Sequence, residues 1–185
     1  MTSKKCLLII DVQLGMFNLS RPLYKSDSLL RNIQNLIQKA RSENITIVYL
    51  QHCGRDKSPF KKGSPGWEIH PSIRPANNDY VIEKKYSDSF QDTPLEQTLK
   101  KLAINHLVIC GLVTEGCVDT TIRRAYSLGY RIDSASDGHS TTDSDVLSAE
   151  QIVKHHNEIF KIFSEVKEAK DILFAAEQDT SHPAD

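Results

Sequence analysis

The chain reads as an α/β protein, a three-layer α/β/α arrangement on a six-stranded, mainly parallel, doubly wound sheet. Three observations predict it. Short β-rich runs alternate along the chain with amphipathic stretches of helical period. Several of the runs, Cys6 to Ile10 and Leu107 to Cys110 above all, are continuously apolar rather than alternating, as strands buried on both faces of a parallel sheet are. The stretches between them carry one apolar stripe each, as helices that cover such a sheet do.

The strands are expected at Cys6-Leu-Leu-Ile-Ile10, Ile45-Thr-Ile-Val-Tyr-Leu50, Tyr80-Val-Ile-Glu83, Leu107-Val-Ile-Cys110, Tyr130-Arg-Ile-Asp133 and Ile159-Phe-Lys-Ile-Phe163. Leu29, Leu30, Ile33, Leu36, Ile37 and Ala40 mark one helical face, and Leu95, Leu99 and Leu102 a second. Val118, Ile122, Ala125 and Leu128 make a third, stopped by Gly129. Ser148-Ala-Glu-Gln151 has the spacing of a capping box, and Ser164 is expected to start a last helix through Leu173. Residues 52 to 79, rich in Gly, Pro, Lys and Asn, are too long for a simple connection, and such loops often line sites. Residues 1 to 174 are expected to form a single domain, and residues 175 to 185 a flexible tail.

Composition narrows the function. The chain has 185 residues, 39% hydrophobic and 25% charged, which suits an ordinary globular domain. A formal charge of −1 offers no basic excess to neutralise phosphates, so nucleic acid is not an expected partner. No segment approaches the ~18 apolar residues that span a bilayer. The polar start followed by five apolar residues is too short for a signal peptide, so no membrane partner is expected and the expected compartment is the cytoplasm. Cys6, Cys53, Cys110 and Cys117 form no Cys-x-x-Cys pair, and a disulfide framework is not expected.

Open parallel sheets bind ligands beyond the carboxyl ends of their strands. Three reactive residues fall at such ends: Asp11 after the first strand, Lys84 after the third and Cys117 after the fourth. Cys117 opens a helical pattern, where unpaired N–H groups and the helix dipole favour a thiolate. A nucleophilic thiol needs a proton acceptor, for which Asp11 is suited, and that acceptor needs a counter-ion, for which Lys84 is suited. Lys85 competes with Lys84, and a one-residue slip in register would exchange their faces. Burial would raise the Asp11 pKa while Lys84 would lower it, and the sequence does not decide between them.

The residues Asp11-Val-Gln13, then Glu83-Lys84 with Phe90, Thr93 and Leu95, then Gly111-x-x-Thr114-Glu115-x-Cys117-Val118 running into Thr121-x-Arg123-x-Ala125-x-x-Leu128-Gly129-Tyr130, resemble the isochorismatase-like cysteine hydrolases. The resemblance covers roughly Cys6 to Phe163. It implies an Asp11, Lys84, Cys117 triad and a non-proline cis peptide between Leu112 and Val113, with the N–H groups of Val113 and Cys117 forming an oxyanion hole. It also implies that a member retaining its cysteine attacks an sp² carbon, commonly an amide carbonyl, through a thioester. The expected reaction is therefore cleavage of a C–N amide bond in a small molecule by a hydrolase that uses neither cofactor nor metal.

Gln13, Phe17, Trp67 and Thr114 are the expected substrate contacts, the two aromatic rings as walls for a planar group. Asp137, His139 and Thr141 are expected to border the pocket. Family members that hold a metal do so through an Asp-x-His pair and a later His; here the stretch reads Leu50-Gln51-His52 with His70 downstream, so the carboxylate is missing. A nicotinamidase-type deamidase with metal on His52 and His70 is the alternative enzyme, and a thiol redox sensor or binding protein is the alternative in another class. By analogy with the family, the chain is expected to be a homo-oligomer, a dimer or tetramer.

Overall fold

The computed structural model describes residues 3–174. The expected tail, residues 175 to 185, lies outside the described residues. Strands β1 (Lys5–Ile10), β2 (Thr46–His52), β3 (Tyr80–Lys84), β4 (His106–Leu112), β5 (Arg131–Ser140) and β6 (Glu165–Lys167) form one sheet in the order β3-β2-β1-β4-β5-β6. Every pairing is parallel, so the sheet is wholly rather than mainly so.

Alternation along β1 separates two cores. After the short α1 (Leu14–Phe17), Ile33, Leu36 and Ile37 of α2 (Ser26–Ser42) pack with Leu7 and Ile9 on one face. Leu8 and Ile10 pack on the other with Leu95 and Leu99 of α3 (Leu95–Lys101), Ile122 of α4 (Asp119–Ser127) and Phe160 of α5 (Ala149–Phe160). Strand order reverses between β1 and β4, and the crevice of a doubly wound sheet opens there. Among the described residues, no helix is long and apolar enough to cross a membrane.

The carboxyl-terminal part departs from the sequence reading. Ile159 to Phe163 is not the sixth strand: the capping box of Ser148 and Gln151 starts α5, and the helix runs through Phe160. Ile152, Val153 and Phe160 face the core at helical spacing, while Ile162 is exposed. The sixth strand is Glu165–Lys167, paired with Asp133 to Ala135. Ser164 starts no helix; its hydroxyl donates back to the Phe160 carbonyl at 2.9 Å.

A buried charge cluster ties the sheet at its opposite end. The Asp133 carboxyl lies 3.3 Å from Lys5 Nζ and 3.1 Å from His106 Nε2, and Lys5 also donates to the Leu173 carbonyl at 2.7 Å. Burial would raise the Asp133 pKa, but His106, Lys5 and Lys167 outweigh it and hold it below the usual carboxylate value. The stability that Asp133 contributes is therefore present above the unfolded carboxylate value and lost as pH falls through the lower folded one. Asp133→Asn strands Lys5 in the interior and is expected to cost ~3–5 kcal/mol. Urea denaturation checks this: the gap to the parent should hold above about pH 4 and narrow in more acid solution.

Candidate functional site

Asp11 follows β1 directly and sits in the left-handed region, with φ 51°, which Asp tolerates better than most residues. Its N–H donates to the Leu50 carbonyl at 3.0 Å and its carbonyl accepts from Gln13 N–H at 2.9 Å, a tight turn that leaves the carboxyl fully buried. Lys84 ends β3 in register with His52 of β2 and is 1% exposed. Lys85 is exposed, so the alternation of the edge strand decides between the two lysines. Lys84 Nζ lies 2.7 Å from Asp11 Oδ2 and donates to the Tyr86 carbonyl at 3.0 Å.

The peptide between Leu112 and Val113 is cis. A π-helical turn, Thr114–Val118, follows it and leads into α4. In that turn the Val113 carbonyl accepts from Gly116 N–H at 3.1 Å and from Val118 N–H at 3.2 Å. Cys117 rides on this turn, half-buried, with its thiol in charge and hydrogen-bond contact with both Asp11 and Lys84. The three residues expected to converge do so.

The protonation states follow from the surroundings. Burial raises the Asp11 pKa and outweighs Lys84, the strongest opposing influence. Beyond Lys84 and Cys117, no group among the described residues donates to either carboxylate oxygen, so the anion lacks the backbone N–H bonds that would hold the pKa down. Burial alone would lower Lys84, but Asp11 and Cys117 raise it, and it stays an ammonium. Burial, then the Asp11 charge, push the Cys117 thiol up to about 11. The resting thiol is therefore neutral. The place at a helix start favours the ionised thiol expected from the sequence, but burial and the neighbouring Asp11 carboxylate act in the opposite sense and hold the thiol above its ordinary value.

The expected substrate contacts divide. Gln13 is fully buried: its amide donates to the carbonyls of His52 at 3.0 Å and Trp67 at 2.7 Å and accepts from His52 N–H at 2.9 Å. Thr114 is fully buried against His139, its Oγ1 2.9 Å from Nδ1. Both were expected at the substrate; their polar atoms are instead committed to holding the frame. Trp67 is half-buried and its indole donates to Cys53 Sγ at 3.3 Å, while the Phe17 ring lies 4.6 Å from that of His70. Asp137 and His139, expected to border the pocket, also turn to the frame: Asp137 accepts from Ala169 N–H at 2.7 Å, and His139 bonds Thr114 and Asn157. A cleft of about 840 Å³, lined by Cys53, Lys62, Glu83, Lys84 and Tyr86 among others, opens beside the ion pair.

His52 and His70 are the residues that could hold a metal. His70 Nδ1 is engaged by Ser72 at 2.6 Å, and no group of three His, Cys, Asp or Glu side chains gathers to bind a metal among the described residues. His52 Nδ1 is buried without a partner, and burial lowers its pKa, so this imidazole is neutral. Sequence reasoning missed the Tyr86 carbonyl and Asn157: a backbone acceptor leaves no mark in residue type, and Asn157 acts through His139, which is far from it in sequence.

The isochorismatase domain family model matches residues 5–169. Streptothricin hydrolase of Streptomyces noursei is 32% identical over 139 residues, 75% of this chain and 55% of that protein, so the chain spans about half the length of this relative. Nicotinamidase 3 of Arabidopsis thaliana is 25% identical over 159 residues, 77% of this chain and 76% of that protein. The crystal structure of an isochorismatase from Pseudomonas putida KT2440 matches with a TM-score of 0.86 at 28% identity, covering 91% of this chain and 90% of that one. With the family model running over most of its length, the chain belongs to the isochorismatase-like hydrolase family.

Proposed function

We propose that this hydrolase cleaves a C–N amide bond of a small molecule through a thioester on Cys117. The observation that carries the reading is the sealed Asp11–Lys84 ion pair, 2.7 Å across, with the Cys117 thiol in contact with both members. Asp11, short of hydrogen-bond donors, takes the thiol proton as sulfur attacks the amide carbon. Lys84 balances the charge that appears on sulfur and keeps Asp11 aligned. The N–H groups of Val113 and Cys117 receive the carbonyl oxygen as it becomes an oxyanion; losing one such donor typically costs ~2.7–4 kcal/mol.

Collapse of the tetrahedral intermediate breaks the C–N bond, and the amine leaves with the proton held by Asp11. Water then attacks the thioester carbon and gives a proton to Asp11. The carboxylic acid departs, and the proton returns to sulfur. Neither Trp67 nor Phe17 lines the cleft; Trp67 backs it through Cys53, which its indole holds, and offers an apolar face to the body of the substrate there.

Incubation with a panel of small amides, nicotinamide among them because a relative bears the name nicotinamidase, tests the reading. Intact-mass detection of an acyl adduct on Cys117 and release of ammonia or amine are expected. Cys117→Ala should lose both, with turnover falling by roughly 10⁴-fold or more. Turnover retained in a folded Cys117→Ala protein overturns the assignment.

A further inference from the structure

Behind the turn that carries Cys117 runs a chain of hydrogen bonds, buried at Thr114 and part-buried at Asn157, that the reaction itself does not use. Thr114 Oγ1 is 2.9 Å from His139 Nδ1, His139 Nε2 is 3.0 Å from Asn157 Oδ1, and Asn157 Nδ2 donates to the Ser136 carbonyl at 3.0 Å. The directions follow from the far end. Asn157 spends its amide N–H on Ser136, so its oxygen accepts; His139 must then donate from Nε2 and accept at Nδ1, and the Thr114 hydroxyl donates.

We infer that His139 and Asn157 are positioning residues, which with Thr114 clamp the Cys117 turn against β5 and α5 and so set how deeply the thiol sits between Asp11 and Lys84. Three elements far apart in sequence meet in this relay. His139 is paired with Gly111 of β4 beyond a register shift, which brings its ring under the start of the turn. Asn157 lies on α5, whose start is held by the capping box.

The relay requires a neutral imidazole, and burial keeps His139 neutral by lowering its pKa to about 4, with His156 of α5 adding to the effect. Phe160 packs edge-on against the ring at 5.4 Å. A second tether holds the turn from outside, Thr141 just beyond β5 donating to Glu115 at 2.8 Å. Glu115 is exposed, and water competes for that bond. Thr114 is sealed, so its bond has no such competitor and controls the position of the turn.

The inference rests on Cys117 being the reactive group, and its test reads the thiol directly, so its failure is separate from failure of the hydrolase reading. Iodoacetamide alkylation of each cysteine, resolved by mass spectrometry between about pH 7 and 10, is the measurement. Thr114→Val removes the hydroxyl at nearly constant shape. A loosened turn exposes the thiol and lowers its pKa, and each unit raises alkylation below the pKa by about three- to fourfold, the tenfold thiolate gain being partly offset by weaker nucleophilicity.

That gain is expected at Cys117 in Thr114→Val and His139→Leu, with Cys53 unchanged as internal control. Thr114→Ser, which keeps the donor, should restore the parent profile. If Thr114→Val or His139→Leu fails to fold, Asn157→Ala, at the half-buried end of the relay, is expected to show a smaller gain of the same sign. An unchanged Cys117 profile in folded Thr114→Val, or in folded Asn157→Ala, overturns the inference.

Discussion

Replacing Asp11 by Asn is expected to lower turnover by ~10²–10⁴-fold, the usual worth of a general base, while making Cys117 more reactive toward iodoacetamide. The two effects part because Asp11 acts on the thiol in opposite senses. As a neighbouring charge and hydrogen-bond partner it raises the Cys117 pKa, so its loss favours the thiolate. In the proposed reaction it is also the proton carrier for both the attack and the departure of the amine, which alkylation does not require.

Asp11→Asn also strands the Lys84 ammonium in the interior, at an expected cost of ~3–5 kcal/mol. Adding Lys84→Met removes the orphaned charge and should recover a good part of that stability without recovering turnover. Denaturant titration, alkylation rate and amide turnover on the two single variants and the double variant supply the cycle. Turnover and alkylation falling together in Asp11→Asn would mean that Asp11 only props the site, and the role of base would be lost.

Gly111→Ala is expected to give the largest loss of stability, more than ~4 kcal/mol, or no folded protein at all. Gly111 has φ 132°, and a Cβ there would lie 2.1 Å from the Ile10 carbonyl oxygen and 2.6 Å from the Ile10 nitrogen. Both atoms belong to the backbone of the central strand and cannot swing aside. Gly129, which ends α4 with φ 85°, has nothing within 4 Å of the same added atom. Gly129→Ala should therefore cost only the backbone strain, ~1–2 kcal/mol. Urea titration of both variants checks the order, and equal losses would contradict it. The close approach at Gly111 bears on the site, since it sets β4 against β1 where Asp11 and the Cys117 turn face each other.

Much of the fold was legible because it is written in local patterns. The uninterrupted apolar runs of β1, β2 and β4 require burial on both faces, and the stripe Leu29 to Ala40 requires a helix over a sheet. The capping box at Ser148 was readable as well. The sixth strand was not: a three-residue strand carries too little pattern, and the apolar residues Ile159 to Phe163 suit a helix end as well as a strand.

The candidate site divides along the same line. Asp11, Lys84 and Cys117 could be picked out as reactive types at carboxyl ends of parallel strands, a placement that follows from element order. The duties of Gln13 and Thr114 inside the frame and the relay through His139 came only from the tertiary structure, which also buries Lys84 and exposes its competitor Lys85.

By itself, then, the sequence determined the layered architecture, the strand ends that carry chemistry and the identity of the three reactive residues, because these depend on hydropathy and spacing within a few residues. Tertiary structure alone decided the charge each of them bears. A pKa reflects desolvation and the charges gathered around a group: at Cys117 burial and the Asp11 carboxylate, just beyond β1, hold the thiol above its ordinary value against the opposing Lys84 at the end of β3, and none of these lies in the stretch that flanks the cysteine.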